Sequence, residues 1–463
     1  MFIVLAAPHY PPRNIGGTEF FVQALARWLH GRGHRVEVVC VEQIASGLFP
    51  RVSARVDRSE GFPVHRLTVR WRAGPLGLRD RFDNPAMGLW FKAFFHSRQP
   101  DLFHLHSGYL LTVAPLRAAM KAGLPTVVSL HDLWFLCAHH TLLRPSGRLC
   151  PGPEEPAGCA YCWLSQSRRY RWLESALGRL GRPHPHRAAG RLLNAWPPFG
   201  SWVRTMAERL QTTMGLLNRV SAIHVTSTFL ERQHRAFGMR SERVYRIPGF
   251  PPAEVRPGPD RRDPTGLHVI YLGQIAPHKG VHVLVEGVRR AKRMAPPGRT
   301  LRLTLYGNDQ AFPAYARSLR KAIGEDPEIR LAGVLPRERI GEALAEADLL
   351  AVPSICPENM PLAVLEALAA GVPVLASEIG GLPELIQHGV NGWRVPPGDA
   401  DAIAAALVRF LEAPEVLEAL RAGARPVHTM EAAMTAMMVL YRDVVGKQET
   451  AAWVPEPVGS REG

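Results

Sequence analysis

Two glutamates stand eight positions apart in a segment whose residue types suit an anion-binding helix start. Glu358 precedes, and Glu366 lies within, an apolar run that Pro361 opens and Gly371 closes. Proline is favoured at the first helical position, and glycine at the position after a helix. The pattern therefore predicts a strand-to-helix turn whose free backbone N–H groups face an anion, with an acid on either side to accept hydrogen bonds from hydroxyl groups. A diphosphate between two polyols is a ligand of that kind.

The two glutamates also admit an ordinary interpretation. Glu366 would then be a solvated helix residue and Glu358 a capping acid, because short motifs also match by chance. A binding site becomes the better interpretation only if other polar residues stand at comparable places, where a strand meets a loop.

Three further features do stand at such places. Gly16 and Gly17 follow the first predicted strand, Phe2–Ala6, and their lack of a Cβ lets the backbone approach a ligand closely. Lys279 follows a strand of the second half of the chain, and His131 ends a strand of the first half. Alone, these would be a plain turn, a surface lysine and a structural histidine. Their shared position at the carboxyl ends of strands favours a functional site.

The chain has 463 residues, which is too long for one hydrophobic core. Apolar runs alternate with helical patterns through two successive halves, as is typical of parallel sheets covered on both faces. A polar, Pro-rich link at 251–264 separates the halves. We predict an α/β protein with two doubly wound, Rossmann-like domains facing a cleft. Their predicted bounds are 1–250 and 251–428, followed by a helix at 429–446 and a disordered tail at 447–463.

The net charge is +15, and much of it lies in one insertion, 131–219, of the first domain. Ten arginines and two glutamates fall between Ser165 and Arg219, interleaved with tryptophans and leucines. Such a segment can contact an anionic membrane surface or an acidic acceptor. It can equally be an insertion with solvated arginines and packed aromatic side chains. A nucleic-acid partner is not expected, because no nucleic-acid-binding motif accompanies the charge.

No apolar run approaches the ~20 residues that a membrane-spanning helix needs. The first residues, Met1–Ala7, lack a basic segment and run into a Pro-rich turn, so they suggest a first strand, not a signal peptide. We therefore expect the protein in the cytoplasm, at the inner face of the membrane if 165–219 binds lipid.

Four of the six cysteines are clustered in a Pro- and Gly-rich part of the insertion. They are Cys137, Cys150, Cys159 and Cys162. Four thiolates can hold one structural zinc ion, and a cytosolic chain favours a metal over disulfides. The spacing is not that of a standard zinc ribbon, so free thiols or redox-labile bridges are the alternative.

Taken together, four motifs resemble the retaining glycosyltransferases of family 4, the glycosyl transferases group 1 with the GT-B fold. The motifs are the Gly16–Glu19 turn, the His131-Asp132 step, the segment Gly273–Gly280 and the Glu358/Glu366 pair. The resemblance covers 1–131 and 222–445. It implies that 1–250 is the acceptor-side domain, that 251–428 binds the nucleotide-sugar, and that the C-terminal helix crosses back to the first domain. It also implies transfer of a sugar from a UDP- or GDP-linked donor to a glycan or lipid-linked acceptor in cell-envelope or exopolysaccharide synthesis.

The same resemblance assigns roles to individual residues. His131 would contact the transferred sugar, Lys279 would pair with the diphosphate, and Glu358 would bind the sugar near its C3 hydroxyl. Glu366 would accept hydrogen bonds from both ribose hydroxyls. The remaining predicted donor contacts are Gly16, Gly17, Gln274, Asn359, Met360, Pro361 and Leu362.

One of these positions departs from the family pattern. The family usually has arginine where this chain has Gln274, so one positive charge near the diphosphate is missing. His278 or an arginine elsewhere would have to replace it. No cofactor is expected for catalysis, because the helix N-terminus and Lys279 take the place of a metal ion, and the family implies attack from the leaving group's side.

Two other functions compete with this one. A nucleotide-sugar epimerase of the same fold would convert its substrate without an acceptor. A non-catalytic glycan- or membrane-binding protein would bind without turnover.

Overall fold

The computed structural model describes residues 1–12, 16–72, 77–144, 146–153, 155–165, 197–252, 255 and 266–446. The predicted tail at 447–463 and most of the Arg-rich segment lie outside these residues, as does most of the predicted link at 251–264. Two sheets, one in each half of the chain, make up the described structure.

The first sheet has eight strands in the order β3-β4-β2-β1-β5-β6-β7-β8. All described neighbours are parallel except β3 and β4, which pair antiparallel at the edge. The strands are β1 Phe2–Ala7, β2 Arg35–Gly47, β3 Arg51–Asp57, β4 Val64–Arg72, β5 Leu102–His106, β6 Thr126–Leu130, β7 Ala222–Val225 and β8 Val244–Arg246.

The antiparallel edge of this sheet was not predicted. After its buried part, which ends at Val41, β2 continues to Gly47 with mostly exposed residues, and β3 is exposed along most of its length. Exposed edge strands lack the continuous apolar runs by which buried parallel strands are recognised.

Helices lie on both faces of the first sheet. They are α1 Gly17–Gly31, α2 Gly77–Asp80, α3 Pro85–Arg98, α4 Ala114–Lys121, α5 Pro156–Ser165, α6 Pro197–Leu217 and α7 Thr228–Ala236. Among the described residues, none of the helices is both long and apolar enough to cross a membrane.

The second sheet is entirely parallel over its described pairs and has the order β11-β10-β9-β12-β13-β14. Its strands are β9 Gly266–Leu272, β10 Thr300–Tyr306, β11 Ile329–Gly333, β12 Leu349–Val352, β13 Val374–Ser377 and β14 Gly392–Val395. Its helices are α8 Val281–Met294, α9 Pro313–Ile323, α10 Ile340–Ala345, α11 Leu362–Ala369, α12 Leu382–Leu385, α13 Ala400–Glu412 and α14 Pro414–Gly423, with 3₁₀ turns at Pro277–Lys279 and Arg337–Arg339.

The last helix, α15 Met430–Val445, follows the second domain in sequence but packs on the first. Its buried face, which includes Met434, Met437 and Tyr441, belongs to one hydrophobic cluster with Ile3 and Leu5 of β1. Thr429 caps its start by accepting a hydrogen bond from the Ala432 N–H. The predicted GT-B architecture, with two Rossmann-like sheets and a helix that crosses back, is confirmed.

Candidate active site

The carboxyl ends of the two sheets face a shared cleft of about 780 Å³. Strand ends are where parallel α/β sheets bind ligands. All of the predicted catalytic and donor-binding residues line this cleft, namely Gly16, Gly17, His131, Gln274, Lys279, Glu358, Asn359, Met360, Pro361, Leu362 and Glu366. The structure therefore brings together side chains that are up to 350 positions apart in sequence.

The centre of the second domain's contribution is a three-residue polar cluster. Glu358 Oε1 accepts hydrogen bonds from Lys279 Nζ and from Ser354 Oγ, each at 2.6 Å. Burial alone would raise the pKa of Glu358, but Lys279 and Ser354 stabilise its charge and hold that pKa below the ordinary value. The Lys279 pKa is raised by Glu358, against the opposing effect of burial. Lys279 and Glu358 are therefore both ionised. The hydrogen bond from Ser354 was not predicted from the sequence.

A glycine brings the lysine to this position. Lys279 ends the 3₁₀ turn, and Gly280 follows it with φ +68°. A Cβ on Gly280 would lie 1.9 Å from the Pro353 carbonyl oxygen. Only glycine combines that backbone conformation with so close an approach, so the turn can pack against the segment that leads to Glu358.

The helix that carries Glu366 begins one residue later than predicted. Pro361 is extended, with ψ 127°, and stands at the N-cap position, so Leu362 is the first helical residue. The Pro361 carbonyl oxygen accepts a hydrogen bond from the Val364 N–H at 3.0 Å, as the carbonyl of an N-cap residue does. The prediction that Gly371 follows the helix end is confirmed, because it lies there with φ +76°.

Glu366 is buried and paired with an arginine that the sequence did not reveal. Arg337 Nη2 donates to Glu366 Oε1 at 3.1 Å. Burial raises the pKa of Glu366 to about 7, and Arg337 opposes that rise. Arg337 also lies over the Phe20 ring of the first domain, 5.1 Å from its centroid. Nothing local distinguishes Arg337 from Arg339 of the same turn, whose partner is an exposed glutamate, so only the tertiary structure identifies it.

Gln274 is exposed at the cleft, and its backbone oxygen accepts a hydrogen bond from the Tyr271 hydroxyl at 2.8 Å. The neighbouring His278 does not supply the missing positive charge. Burial, followed by the nearby Lys279, lowers its pKa to about 4, so it is neutral at neutral pH.

The first domain contributes the start of α1. Gly16 occupies the N-cap position of this helix. The Gly16 N–H donates to Glu19 Oε2 at 3.0 Å. This is the half of a capping box in which the side chain at N3 accepts the N–H of the N-cap residue. Burial raises the pKa of Glu19 above its ordinary value.

His131 directly follows β6 and is half-buried. Its Nε2 is 3.1 Å from Nδ1 of His106, and its ring packs edge-on against Phe21. Burial, and then the nearby His224, lower the pKa of His131 to about 3. The imidazole is therefore neutral at neutral pH.

Asn359 connects the two domains. Its side-chain amide donates to the His131 carbonyl oxygen at 3.1 Å, and its Oδ1 accepts from Ser227 Oγ at 2.6 Å. Nearby, Glu384 of the second domain accepts the N–H groups of Thr228 and Phe229 at 2.8 and 2.7 Å. These acceptors satisfy the free N–H groups at the start of α7, so this helix is completed by the opposite domain.

The four clustered cysteines are partly buried, free thiols. Burial raises the pKa of Cys159 to about 12 and also raises that of Cys162. Over the described ranges, no three His, Cys, Asp or Glu side chains form a group that could hold a metal ion. The structural zinc therefore stays a prediction.

Two family models match the chain, one in each half. The glycosyl transferase 4-like domain matches residues 16–151, and the glycosyl transferases group 1 model matches residues 266–413. The chain thus belongs to the glycosyltransferases of family 4, in agreement with its GT-B fold and with the motifs that line its cleft.

Relatives of the chain include glycosyltransferases. The chain is 36% identical over 152 residues to the amylovoran biosynthesis glycosyltransferase AmsK of Erwinia amylovora, covering 31% of this chain and 36% of that protein. It is 25% identical over 347 residues to the D-inositol 3-phosphate glycosyltransferase of Jonesia denitrificans, covering 71% and 79%. The chain spans only 36–38% of the length of the first three relatives that it matches.

Solved structures share the fold at low sequence identity. Anabaena Alr3699/HepE in complex with UDP and glucose gives a TM-score of 0.62 at 18% identity, covering 95% of this chain and 98% of that one. Sucrose-phosphate synthase from Thermosynechococcus elongatus gives 0.62 at 20% identity, covering 97% and 100%.

Proposed function

We propose that this protein is a retaining glycosyltransferase. It would move a sugar from a UDP- or GDP-linked donor to a glycan or lipid-linked acceptor in cell-envelope or exopolysaccharide synthesis. The observation that carries the proposal is the order of groups along the cleft: Lys279 with Glu358 at the start of α11, and Glu366 inside that helix. Supporting it, AmsK is an amylovoran biosynthesis glycosyltransferase, and the structure of HepE holds UDP and glucose.

Each group has a task that its chemistry suits. The ionised Lys279 and the start of α11 would stabilise the negative charge that grows on the diphosphate as it leaves. Glu358, held by Lys279 and Ser354, would accept a hydrogen bond from the transferred sugar. Glu366 would accept hydrogen bonds from the ribose hydroxyls, for which its carboxylate keeps free lone pairs beside Arg337.

The reaction would proceed with attack from the face that the diphosphate leaves. The bond between the anomeric carbon and the diphosphate oxygen breaks, and a bond from that carbon to the acceptor oxygen forms. The acceptor's proton passes to the departing phosphate oxygen. Two further acids line the cleft, and both have structural tasks. Glu19 accepts the Gly16 N–H, while Asp132 accepts Ser107 Oγ and the Trp134 N–H.

The experiment is a donor panel. Thermal shift and turnover are measured with UDP-, GDP-, ADP- and dTDP-sugars, with and without a lipid-linked or glycan acceptor, and the product anomer is read by NMR. We expect stabilisation by one nucleotide class, transfer only with acceptor, a retained configuration and loss of nucleotide binding in Glu366→Ala. Conversion without acceptor would indicate an epimerase, an inverted product would exclude retention, and binding without turnover would indicate a non-catalytic protein.

Membrane contact through 165–219 remains part of this proposal, although 166–196 lies outside the described residues. Basic segments bind anionic lipid surfaces in a salt-dependent way. Co-sedimentation with anionic liposomes at low salt tests it, and absence of binding there would remove it.

A further inference from the structure

Beneath the cleft lies a buried row of hydrogen-bonded polar side chains that the proposed reaction does not use. It contains His104 and His106 of β5, Ser129 of β6, His224 of β7 and Tyr441 of α15, all fully or almost fully buried. Burial lowers the pKa of each of these histidines, so all are neutral. A neutral imidazole has one N–H donor and one acceptor nitrogen, and the hydrogen bonds decide which is which.

One end of the row fixes the direction of most of it. The Ile247 carbonyl oxygen can only accept, so His224 Nε2 donates to it at 2.8 Å, and His224 Nδ1 is an acceptor. Ser129 Oγ, 2.6 Å from that Nδ1, therefore donates its single proton to it. Having used that proton, Ser129 accepts from His104 Nε2 at 2.7 Å. His104 Nδ1 then accepts the Tyr441 hydroxyl at 2.6 Å.

This chain of donors holds His104 in one orientation, and the His106 ring lies against it, tilted by 33°. The centroids of the two rings are 3.8 Å apart. His106 in turn lies nearly parallel to His131, with an interplanar angle of 20° and 3.1 Å between His106 Nδ1 and His131 Nε2. The fixed row therefore leads to the histidine that lines the cleft.

One proton lies between His106 Nδ1 and His131 Nε2. Which of the two nitrogens carries it follows from the surroundings of His106 Nε2. His106 Nε2 is buried and has no hydrogen-bond partner among the described residues. An orphaned buried N–H is rarer in proteins than an under-satisfied acceptor. His106 therefore carries its proton on Nδ1 and donates it to His131 Nε2.

We propose that His106 is a positioning residue that fixes the tautomer of His131, so that His131 presents an Nδ1–H donor to the transferred sugar. The inference rests on the proposed function only in naming the sugar as the ligand. A donor at this place binds a hydroxyl oxygen of the sugar, and it cannot remove a proton from the acceptor.

The direct test is ¹⁵N NMR of the wild-type protein labelled at histidine, with His131→Asn used to assign the His131 resonances. We expect Nδ1 of His131 to be protonated and Nε2 to be unprotonated. A protonated Nε2 would overturn the proposal. Because this measurement needs no substrate, its outcome is independent of whether the protein transfers sugar.

Kinetics with two variants supply the second test. His106→Phe removes the donor, and transfer should slow by about 10-fold or more while the Kd for the free nucleotide stays within about twofold. His106→Asn keeps an N–H near the former Nδ1 and should restore most of the rate. Tyr441→Phe, which changes the buried row without touching the His106–His131 bond, should leave the His131 tautomer unchanged. Equal rates for wild type and His106→Phe would contradict the proposal.

Discussion

The second domain places charged pairs at the cleft, whereas the first domain places a neutral histidine there, beside two acids that are engaged in structural hydrogen bonds. In the second, Lys279 and Glu358 are both ionised, and Arg337 opposes the rise in the pKa of the buried Glu366. In the first, His131 rests on the buried His106, and burial lowers the pKa of both.

This difference matches the two parts of the proposed donor. A diphosphate needs fixed positive charge, which is most effective where water is excluded. A sugar needs hydrogen bonds with a defined direction, and a neutral imidazole whose tautomer is fixed supplies them. The first domain would therefore orient the sugar, and the second would hold the nucleotide.

The largest expected effect comes from removing the central cation. Lys279→Ala should lower kcat by about 10²–10³-fold, because it removes a charge aimed at the leaving diphosphate and leaves Glu358 buried without its cation. Lys292→Ala is the matched control, since its partly buried ammonium pairs with Asp326 in the same domain. Steady-state kinetics check the prediction, and similar kcat values for the two variants would contradict it.

The next effect concerns pH. Because burial raises the pKa of Glu366 to about 7, a smaller fraction is ionised at pH 6 than at pH 8. If the ionised form accepts the ribose hydroxyls, nucleotide affinity should rise about tenfold between these pH values and then level off. Calorimetric titrations across this range measure it. Glu366→Gln, which cannot titrate, should bind weakly and lose this rise.

Arg337 offers a finer test of the charged side. Arg337→Ala should weaken nucleotide binding by about tenfold, because Glu366 loses its hydrogen-bonded cation and the contact to Phe20 across the cleft disappears. Arg339→Ala, in the same turn but paired with the exposed Glu342, should bind as wild type. If both variants retain full affinity, Arg337 has no part in the donor site.

On the neutral side, Tyr441→Phe should affect stability. Removing its hydroxyl leaves His104 Nδ1 buried without a donor, which should cost about 1–3 kcal/mol in the free energy of unfolding. Tyr245→Phe serves as the control, because its hydroxyl contacts the exposed Asp443 of the same helix. Urea unfolding of both variants measures the difference. If Tyr441→Phe has the same free energy of unfolding as the control, the buried row does not stabilise the packing of α15.

The predicted structural zinc is expected to have the smallest effect on this comparison, since the four clustered cysteines lie outside the cleft lining. The prediction requires about one zinc per chain in the purified protein by elemental analysis. A metal-free, folded and fully active protein would contradict the zinc prediction and leave the alternative, free thiols or redox-labile bridges.

The second domain was the more predictable half because its site residues follow buried strands through short turns. Glycines with positive φ, such as Gly280 and Gly371, mark those turns in the sequence itself. Periodicity cannot reveal an exposed edge strand such as β3. The shift of the helix start past Pro361 depends on one ψ angle, which proline leaves free.

Contacts between distant segments could not be predicted from local sequence. Arg337 resembles any exposed arginine until its pairing with Glu366 is seen, and His106 resembles any core histidine until His131 is placed beside it. Both were outside the predicted site for that reason. In contrast, the predicted set from Gly16 to Glu366 does line one cleft.

The measurement that tests the division between the domains most directly is the Kd of UDP and of GDP for wild type, Glu366→Ala and His131→Ala by isothermal titration calorimetry. We predict that wild type binds one of the two nucleotides and that Glu366→Ala weakens this binding by about tenfold or more. His131→Ala should keep the affinity within about twofold while losing sugar transfer. Full nucleotide affinity in Glu366→Ala, or an equal loss in His131→Ala, would contradict the account.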